Sequence, residues 1–246
     1  MNPLAWLGAA VIGLSLGLTG AGGSILTLPV LVYLAGVPPR EAVGLSLLIV
    51  GAAALAGALQ RLRAGEFHLR AAALFSLSGM AGAALGARFT HAVPPGLLMT
   101  VFAILMLAVA LRMAFQKAEG AEPLPDCKPL RCLLAGGGTG LLTGFLGVGG
   151  GFLLMPALMK FARLPLRIST GTSLAVIAFN SAAGFLAHLG EAPPRWGLAA
   201  GFSVFAVAGV IAGNACAARL PVRHLRRGFA IVVLLTGGYV LWKSLG

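Results

Sequence analysis

Ten apolar runs follow one another along the chain with little polar sequence between them, and no water-soluble fold can be built on that pattern. In the first half they cover 3–19, 24–36, 41–59, 69–88 and 95–113; in the second, 131–146, 151–162, 168–187, 196–215 and 227–242. A helix needs about 20 apolar residues to cross the hydrocarbon core of a bilayer. Of the 246 residues, 59% are hydrophobic and 10% charged, against about 25% charged in an ordinary soluble domain. Too few charges are available to coat a water-facing surface. An all-α polytopic membrane protein is expected, with its chemistry inside the membrane.

The net charge of +12 raises the question of nucleic acid, which would require basic residues gathered on one solvated face. Here they lie in short clusters between apolar runs, so no nucleic-acid partner is expected and topology accounts for them better. Cys127, Cys132 and Cys216 are odd in number and lack zinc-ligand spacing, so reduced thiols are the default, with no metal or cofactor expected. Met1-Asn2-Pro3 offers no basic stretch ahead of the first apolar run, which argues against a cleaved signal peptide.

The sequence repeats itself without a gap at an offset of 127. Gly17-Leu-Thr-Gly20-Ala-Gly22-Gly23-Ser24 aligns with Gly144-Phe-Leu-Gly147-Val-Gly149-Gly150-Gly151, and Pro29 with Pro156. The register continues through Pro38/Pro165, Arg40/Arg167, Gly44/Gly171, Ser46/Ser173, Gly57/Gly184, Gly82/Gly209, Gly86/Gly213 and Pro94/Pro221. Shared prolines and a shared glycine cluster in one register argue for duplication, a common origin of transporters. The expected organisation is a first transmembrane repeat at 1–115, a linker at 116–130 and a second repeat at 131–246.

In each half the second run is short. At 1.5 Å rise per residue it covers roughly 20 Å, well under the ~30 Å core. If the interrupted segment crossed once, the basic residues would divide about evenly between the two sides. If it enters and returns, each half crosses an odd number of times and the halves are inverted. Arg61, Arg63, Arg70, Arg112, Lys117, Lys128, Arg131, Lys160, Arg163, Arg167, Arg219, Arg223, Arg226 and Arg227 then face the cytoplasm, and Arg40, Arg88, Arg195 and Lys243 face out. The positive-inside rule selects this arrangement, with both termini periplasmic. The expected fold is two inverted-topology repeats, each a Gly-broken re-entrant or short helix pair followed by three transmembrane helices.

Broken helix at membrane depth survives only where it is buried in protein or lines a cavity. Each glycine cluster precedes an apolar helical stretch, so each presents a helix start with free N–H groups and a positive dipole end. Inversion would bring the two starts together from opposite sides, making a site for an anion. Candidate backbone donors are Gly22, Gly23 and Ser24 in the first half and Gly149, Gly150 and Gly151 in the second. Close helix packing is the plainer reading of Gly44, Gly57, Gly79, Gly82, Gly86, Gly171, Gly184, Gly209 and Gly213. It fits three consecutive glycines poorly, because they break a helix.

Ser46, Thr172, Ser173 and Asn180 are the candidate side-chain donors, although Ser and Thr also bond back to their own helix carbonyls. Asn214, Ser76, Ser78 and Ser203 read as structural. All six acids, Glu41, Glu66, Glu119, Glu122, Asp126 and Glu191, fall in loops or at span ends, so no carboxylate sits where sodium or proton couplers usually lie. That favours an anionic substrate. His188, the repeat mate of Arg61, reads as an interfacial histidine, and Arg88 as a residue that snorkels at the outer mouth. The chain lacks HExxH, a carboxylate pair and a serine with a histidine at membrane depth, so no enzyme is expected.

Gly20-Ala-Gly22-Gly23-Ser24-x-Leu26-x-x-Pro29 and Gly147-Val-Gly149-Gly150-Gly151-x-Leu153-x-x-Pro156, followed by Gly44-x-Ser46 and Gly171-Thr-Ser173, resemble the TauE/SafE family of sulfite exporters along essentially the whole chain. The resemblance implies a permease of the bacterial inner membrane that moves sulfite, sulfoacetate or a related sulfur-containing anion outward. The residues themselves supply only an anion. The expected partners are that small anion and the lipid bilayer, with homo-oligomerisation open. The alternative reading is a passive anion channel or a permease for another small anion.

Overall fold

The computed structural model describes residues 3–90, 127–146, 151–188 and 195–217, with single positions inside 93–108 and 231–242. Eight α-helices fill the continuous stretches: α1 (Pro3–Thr19), α2 (Gly22–Pro29), α3 (Pro39–Arg63), α4 (Leu69–Thr90), α5 (Pro129–Leu146), α6 (Gly151–Phe161), α7 (Leu166–His188) and α8 (Trp196–Ala217). Among the described residues there is no strand. The runs expected at 95–113 and 227–242 and most of the linker at 116–130 lie outside the described residues.

Four helices, α3, α4, α7 and α8, are long and apolar enough to cross a membrane. With 22 to 25 residues each, they reach roughly 33–38 Å. The others are shorter. α1 has 17 residues, and α2 with its π-helical continuation Val30–Leu34 has 8 and 5, about 20 Å together. α6 has 11.

Local sequence explains where these helices begin and end. Pro3, Pro39 and Pro129 open α1, α3 and α5, where a missing N–H is harmless. Gly20 ends α1 at φ +70°, its N–H donating to Leu16 O at 2.7 Å, a conformation that a side chain would oppose. Gly65 closes α3 in the same way at φ +73°, with Gly65 N–H on Leu62 O and Glu66 N–H on Arg61 O, both 3.1 Å. Pro29 lies inside the second helix and removes one donor from its ladder, and the chain widens there into the π turn.

α1 and α2 form a helical hairpin. Gly23 lies against Ile12 and Leu16, while Gly8 lies against Val30, so the two run antiparallel. The tip at Gly20-Ala21 is buried. α1 then packs parallel to α8 of the other half: Gly13 lies on Ala206, and a Cβ at Gly17 would stand 2.8 Å from Asn214 N. Trp6 stacks on Phe202 with ring centroids 5.3 Å apart. At the offset of 127 the same contacts recur between α5 and α4. Gly140 lies on Gly79, Gly144 on Ala83, and a Cβ at Gly86 would stand 2.8 Å from Phe145 N. The glycines that let these backbones meet form Gly13-x-x-x-Gly17, Gly140-x-x-x-Gly144, Gly82-x-x-x-Gly86 and Gly209-x-x-x-Gly213, the small-residue spacing of close membrane-helix contacts.

Between these two pairs run the repeat mates α3 and α7, antiparallel to each other. Gly44 faces His188, Gly51 faces Ser181, Gly57 faces Leu174, and Gly171 faces Arg61. Ala, Gly, Ser and Thr line much of this α3–α7 contact and larger side chains such as Leu16, Ile49, Phe75 and Phe202 fill the rest of the interior, while Leu7, Leu55, Leu77, Leu85, Leu134, Phe179, Leu186 and Val204 are exposed. So many large apolar side chains on the outside suit lipid as the surrounding solvent.

Two features depart from expectation. Cys127 and Cys132 form a disulfide, where reduced thiols were expected; the odd count concealed it because Cys216 is free and exposed. Arg61, read as a charge at a span end facing the cytoplasm, is only 6% exposed. Its Nε donates to Asn214 Oδ1 at 3.0 Å, Nη1 pairs with Glu66, and Nη2 donates to Gly17 O at 3.3 Å.

Candidate functional site

The starts of α2 and α6 meet at the centre of the molecule. A Cβ on Gly151 would lie 3.0 Å from Ser24 Oγ, 3.2 Å from Ala21 Cα and 2.6 Å from Ile177 Cδ1. Ser24 and Gly151 are repeat mates, so each half contributes the same position to one contact. Neither helix carries an acid in its first turn, and no side chain caps the start of α2. The first-turn N–H groups of a helix have no partner within it, and their positive dipole ends favour an anion.

The α1–α2 tip is held from the second half. Gly20 lies against the backbone of Thr170, and Ser173 Oγ donates at 2.8 Å to Gly20 O or at 2.9 Å to Thr170 O. Ser24 Oγ donates back to Ala21 O at 2.8 Å, which leaves its lone pairs towards Gly151. Gly23 packs on α1 through its missing side chain, and its N–H belongs to the first turn of α2, beside that of Gly22. Gly149 and Gly150 lie outside the described residues.

The other candidates stand apart from this centre. Ser46 donates to its own helix at Val43 O, 2.9 Å. The antiparallel register sets it opposite a point near 186 of α7, thirteen residues from Ser173, which is about 20 Å along the axis. Thr172 points away from the hairpin tip and accepts a hydrogen bond from His68 N at 3.1 Å, which supports the start of α4.

Asn180 is different again. It is fully buried on α7, and neither Oδ1 nor Nδ2 has a hydrogen-bond partner. Gly79 of α4 makes room for it, since a Cβ there would meet the amide carbon at 2.8 Å. Ser181 Oγ and Ser76 Oγ are likewise buried without partners. Leaving one such group unpaired costs about 1–3 kcal/mol, more than a helix keeps without cause. Ser76, read from sequence as structural, thus has no structural bond.

Sequence reasoning missed the cluster of Arg61, Glu66 and Asn214. Asn214 Nδ2 donates to Gln60 Oε1 at 2.9 Å and Gly57 O at 3.3 Å, and Arg167 approaches Glu66 at 3.6 Å. The available signal was a lone amide inside an otherwise apolar helix. The acids Glu41 and Glu66 lie at helix ends, and among the described residues no cluster of His, Cys, Asp and Glu could hold a metal.

A family model described as "Sulfite exporter TauE/SafE" matches residues 5–240. A "Probable membrane transporter protein" of Xylella fastidiosa strain Temecula1 is 33% identical over 241 residues, covering 95% of this chain and 92% of that one. From Bacillus subtilis strain 168, "Probable membrane transporter protein YunE" is 23% identical, covering 96% and 97% of the two chains. YdhB of the same organism, with the same description, is 26% identical and covers 74% and 76%. No solved structure matches the chain. These matches, over a helical chain with apolar spans of membrane length, establish a multi-pass membrane transporter, and the chain belongs to the TauE/SafE sulfite exporter family.

Proposed function

We propose that the chain is a secondary carrier that exports a small sulfur-containing anion, such as sulfite or an organosulfonate, across the bacterial inner membrane. The observation that carries this reading is the contact of Ser24 with Gly151, two helix starts with no acid in their first turns. Two such ends supply a partial positive charge each, without any basic side chain. Gly22, Gly23, Ser24, Gly149, Gly150 and Gly151 provide the backbone donors. Ser173 positions the first hairpin tip, and Ser46 holds the matching place in the other half. The antiparallel mates α3 and α7, and the contacts that recur at the offset of 127, support inverted repeats that rock to alternate access. The basic-residue count then sets both termini in the periplasm. The sulfur comes from the family; the anion comes from the helix ends.

Flux of sulfite and sulfoacetate into or out of proteoliposomes tests this. Wild type exceeds empty vesicles, and Gly151→Leu, which drives a side chain into Ser24 and Ile177, falls at least about tenfold while eluting as a folded protein. Wild-type flux equal to that of empty vesicles for both anions overturns the proposal. Unitary rates far above carrier turnover convert it to a passive channel.

A further inference from the structure

We propose that Asn180, with Ser76 level with it on α4, forms a one-sided polar subsite that takes the hydroxyl edge of a singly protonated, singly charged oxyanion. The inference rests on anion transport by this chain and narrows its substrate to the hydrogen form, such as hydrogen sulfite.

The position comes first. Ile177 touches the start of α6 at Gly151, and Asn180 follows three residues later on the same stripe of α7, about 4.5 Å further along the axis. α4 runs parallel to α7 here, with His68 at Thr172 and Gly79 at Asn180. Ser76, one turn before Gly79, is therefore level with Ile177–Asn180. The orphaned groups thus lie one helical turn from the meeting of the helix starts.

The chemistry narrows the ligand. Both faces of the Asn180 amide are unsatisfied, a donor at Nδ2 and an acceptor at Oδ1. A fully deprotonated oxyanion offers only lone pairs and would set an oxygen against Oδ1. A hydrogen oxyanion serves both: its charged oxygen accepts from Nδ2–H and its O–H donates to Oδ1. Serine hydroxyls adapt to either edge. Charge agrees independently, since two helix ends of roughly half a charge each balance one negative charge and not two.

The asymmetry shows that packing alone does not require the amide. At the offset of 127, Asn180, Ser181 and Gly79 correspond to Ala53, Ala54 and Ala206, while Ser76 corresponds to Ser203. The equivalent places on α3 and α8 are thus filled with alanine and need no amide there.

The test uses the full chain in proteoliposomes with two probes, sulfite and methanesulfonate; the second is a single anion without an O–H. For wild type, the apparent KM for total sulfite rises about tenfold per pH unit above the second ionisation of sulfite, while that for methanesulfonate stays level. Asn180→Leu raises KM for hydrogen sulfite at least about tenfold, with methanesulfonate within about twofold and kcat little changed. Gly79→Ala, which displaces the amide with a single methyl, moves sulfite the same way and serves if the leucine variant fails to fold.

A pH-independent KM for total sulfite, or an equal rise for both anions in the variants, overturns the proposal. So does an Asn180→Leu protein with unchanged KM, whose amide then held only water or nothing. If wild type moves neither anion, the transport reading has failed. Thermal shift in detergent then decides the subsite: stabilisation by sulfite below its second ionisation, lost in Asn180→Leu, sustains it, and its absence ends it.

Discussion

Replacing Glu66 by Gln probes the most heavily bonded charge in the molecule. The substitution keeps the shape of the side chain and removes the acidic partner of the Arg61 guanidinium. Arg61 would be left 6% exposed with neutral acceptors alone, Asn214 Oδ1 at 3.0 Å and Gly17 O at 3.3 Å. Breaking a fully buried pair costs about 3–5 kcal/mol. Glu66 is 21% exposed at its side chain and the neutral acceptors remain, so the expected loss is about 2–3 kcal/mol, or roughly 30- to 150-fold in the folded ratio. Unfolding in mixed detergent and SDS micelles, followed by tryptophan fluorescence, measures it.

Two controls make the reasoning refutable. Arg167 lies 3.6 Å from Glu66 but is 53% exposed, so Arg167→Gln should cost less than about 0.5 kcal/mol. The double variant Arg61→Met/Glu66→Gln should recover at least half of the single loss, because an unpaired buried charge is worse than no charge. Glu66→Gln within about 0.5 kcal/mol of wild type, or a double variant worse than the single one, would show that water reaches Arg61 and that the buried-charge account is wrong.

Other outcomes follow from the packing and topology. Gly17→Val and its repeat mate Gly144→Val should each reduce folded yield severely, because a Cβ there stands 2.8 Å from Asn214 N or Ala83 Cα and overpacking costs about 1–3 kcal/mol or more; fluorescence-detected size exclusion reads this, and a normal profile for either would break the reciprocity. In a cysteine-free background, Arg40→Cys should label from the periplasm and Arg63→Cys from the cytoplasm with impermeant maleimide; labelling from one side would refute the topology. The native chain should show one reactive thiol, Cys216, before reduction and three after, by mass after alkylation of denatured protein; three before reduction would exclude the Cys127–Cys132 bond.

Much of the architecture was legible in sequence because membrane depth imposes few solutions. A run shorter than the bilayer beside a glycine cluster had to be buried, the basic residues favoured its turning back, and α2 does turn back along α1. The offset of 127 carried more than a count of helices. Gly82 and Gly86 recur as Gly209 and Gly213, and each pair brings its helix onto the mate of the other's neighbour. What sequence could not supply was the direction of polar side chains on a nearly featureless helix. Asn214 and Asn180 look alike in the sequence, each an amide within an apolar stretch. One is bonded to Arg61, Gln60 and Gly57, and the other to nothing. That difference depends on which helix lies opposite.

The fate of the serine candidates follows from the geometry of antiparallel mates. When two copies of a helix run in opposite directions past each other, a residue and its mate approach only near the crossing point and diverge by twice the rise for each step away from it. Ser24 and Gly151 lie at that point and touch. Ser46 and Ser173 lie away from it, and about 20 Å of helix comes between them. Pairing residues by repeat register therefore identifies equivalent roles, as in the bonds of Ser46 to Val43 O and Ser173 to Thr170 O, but joint action at one ligand only on the axis itself. A single anion can be shared by the two helix starts, and a side chain such as Asn180, which has no polar mate, can reach it from one side alone.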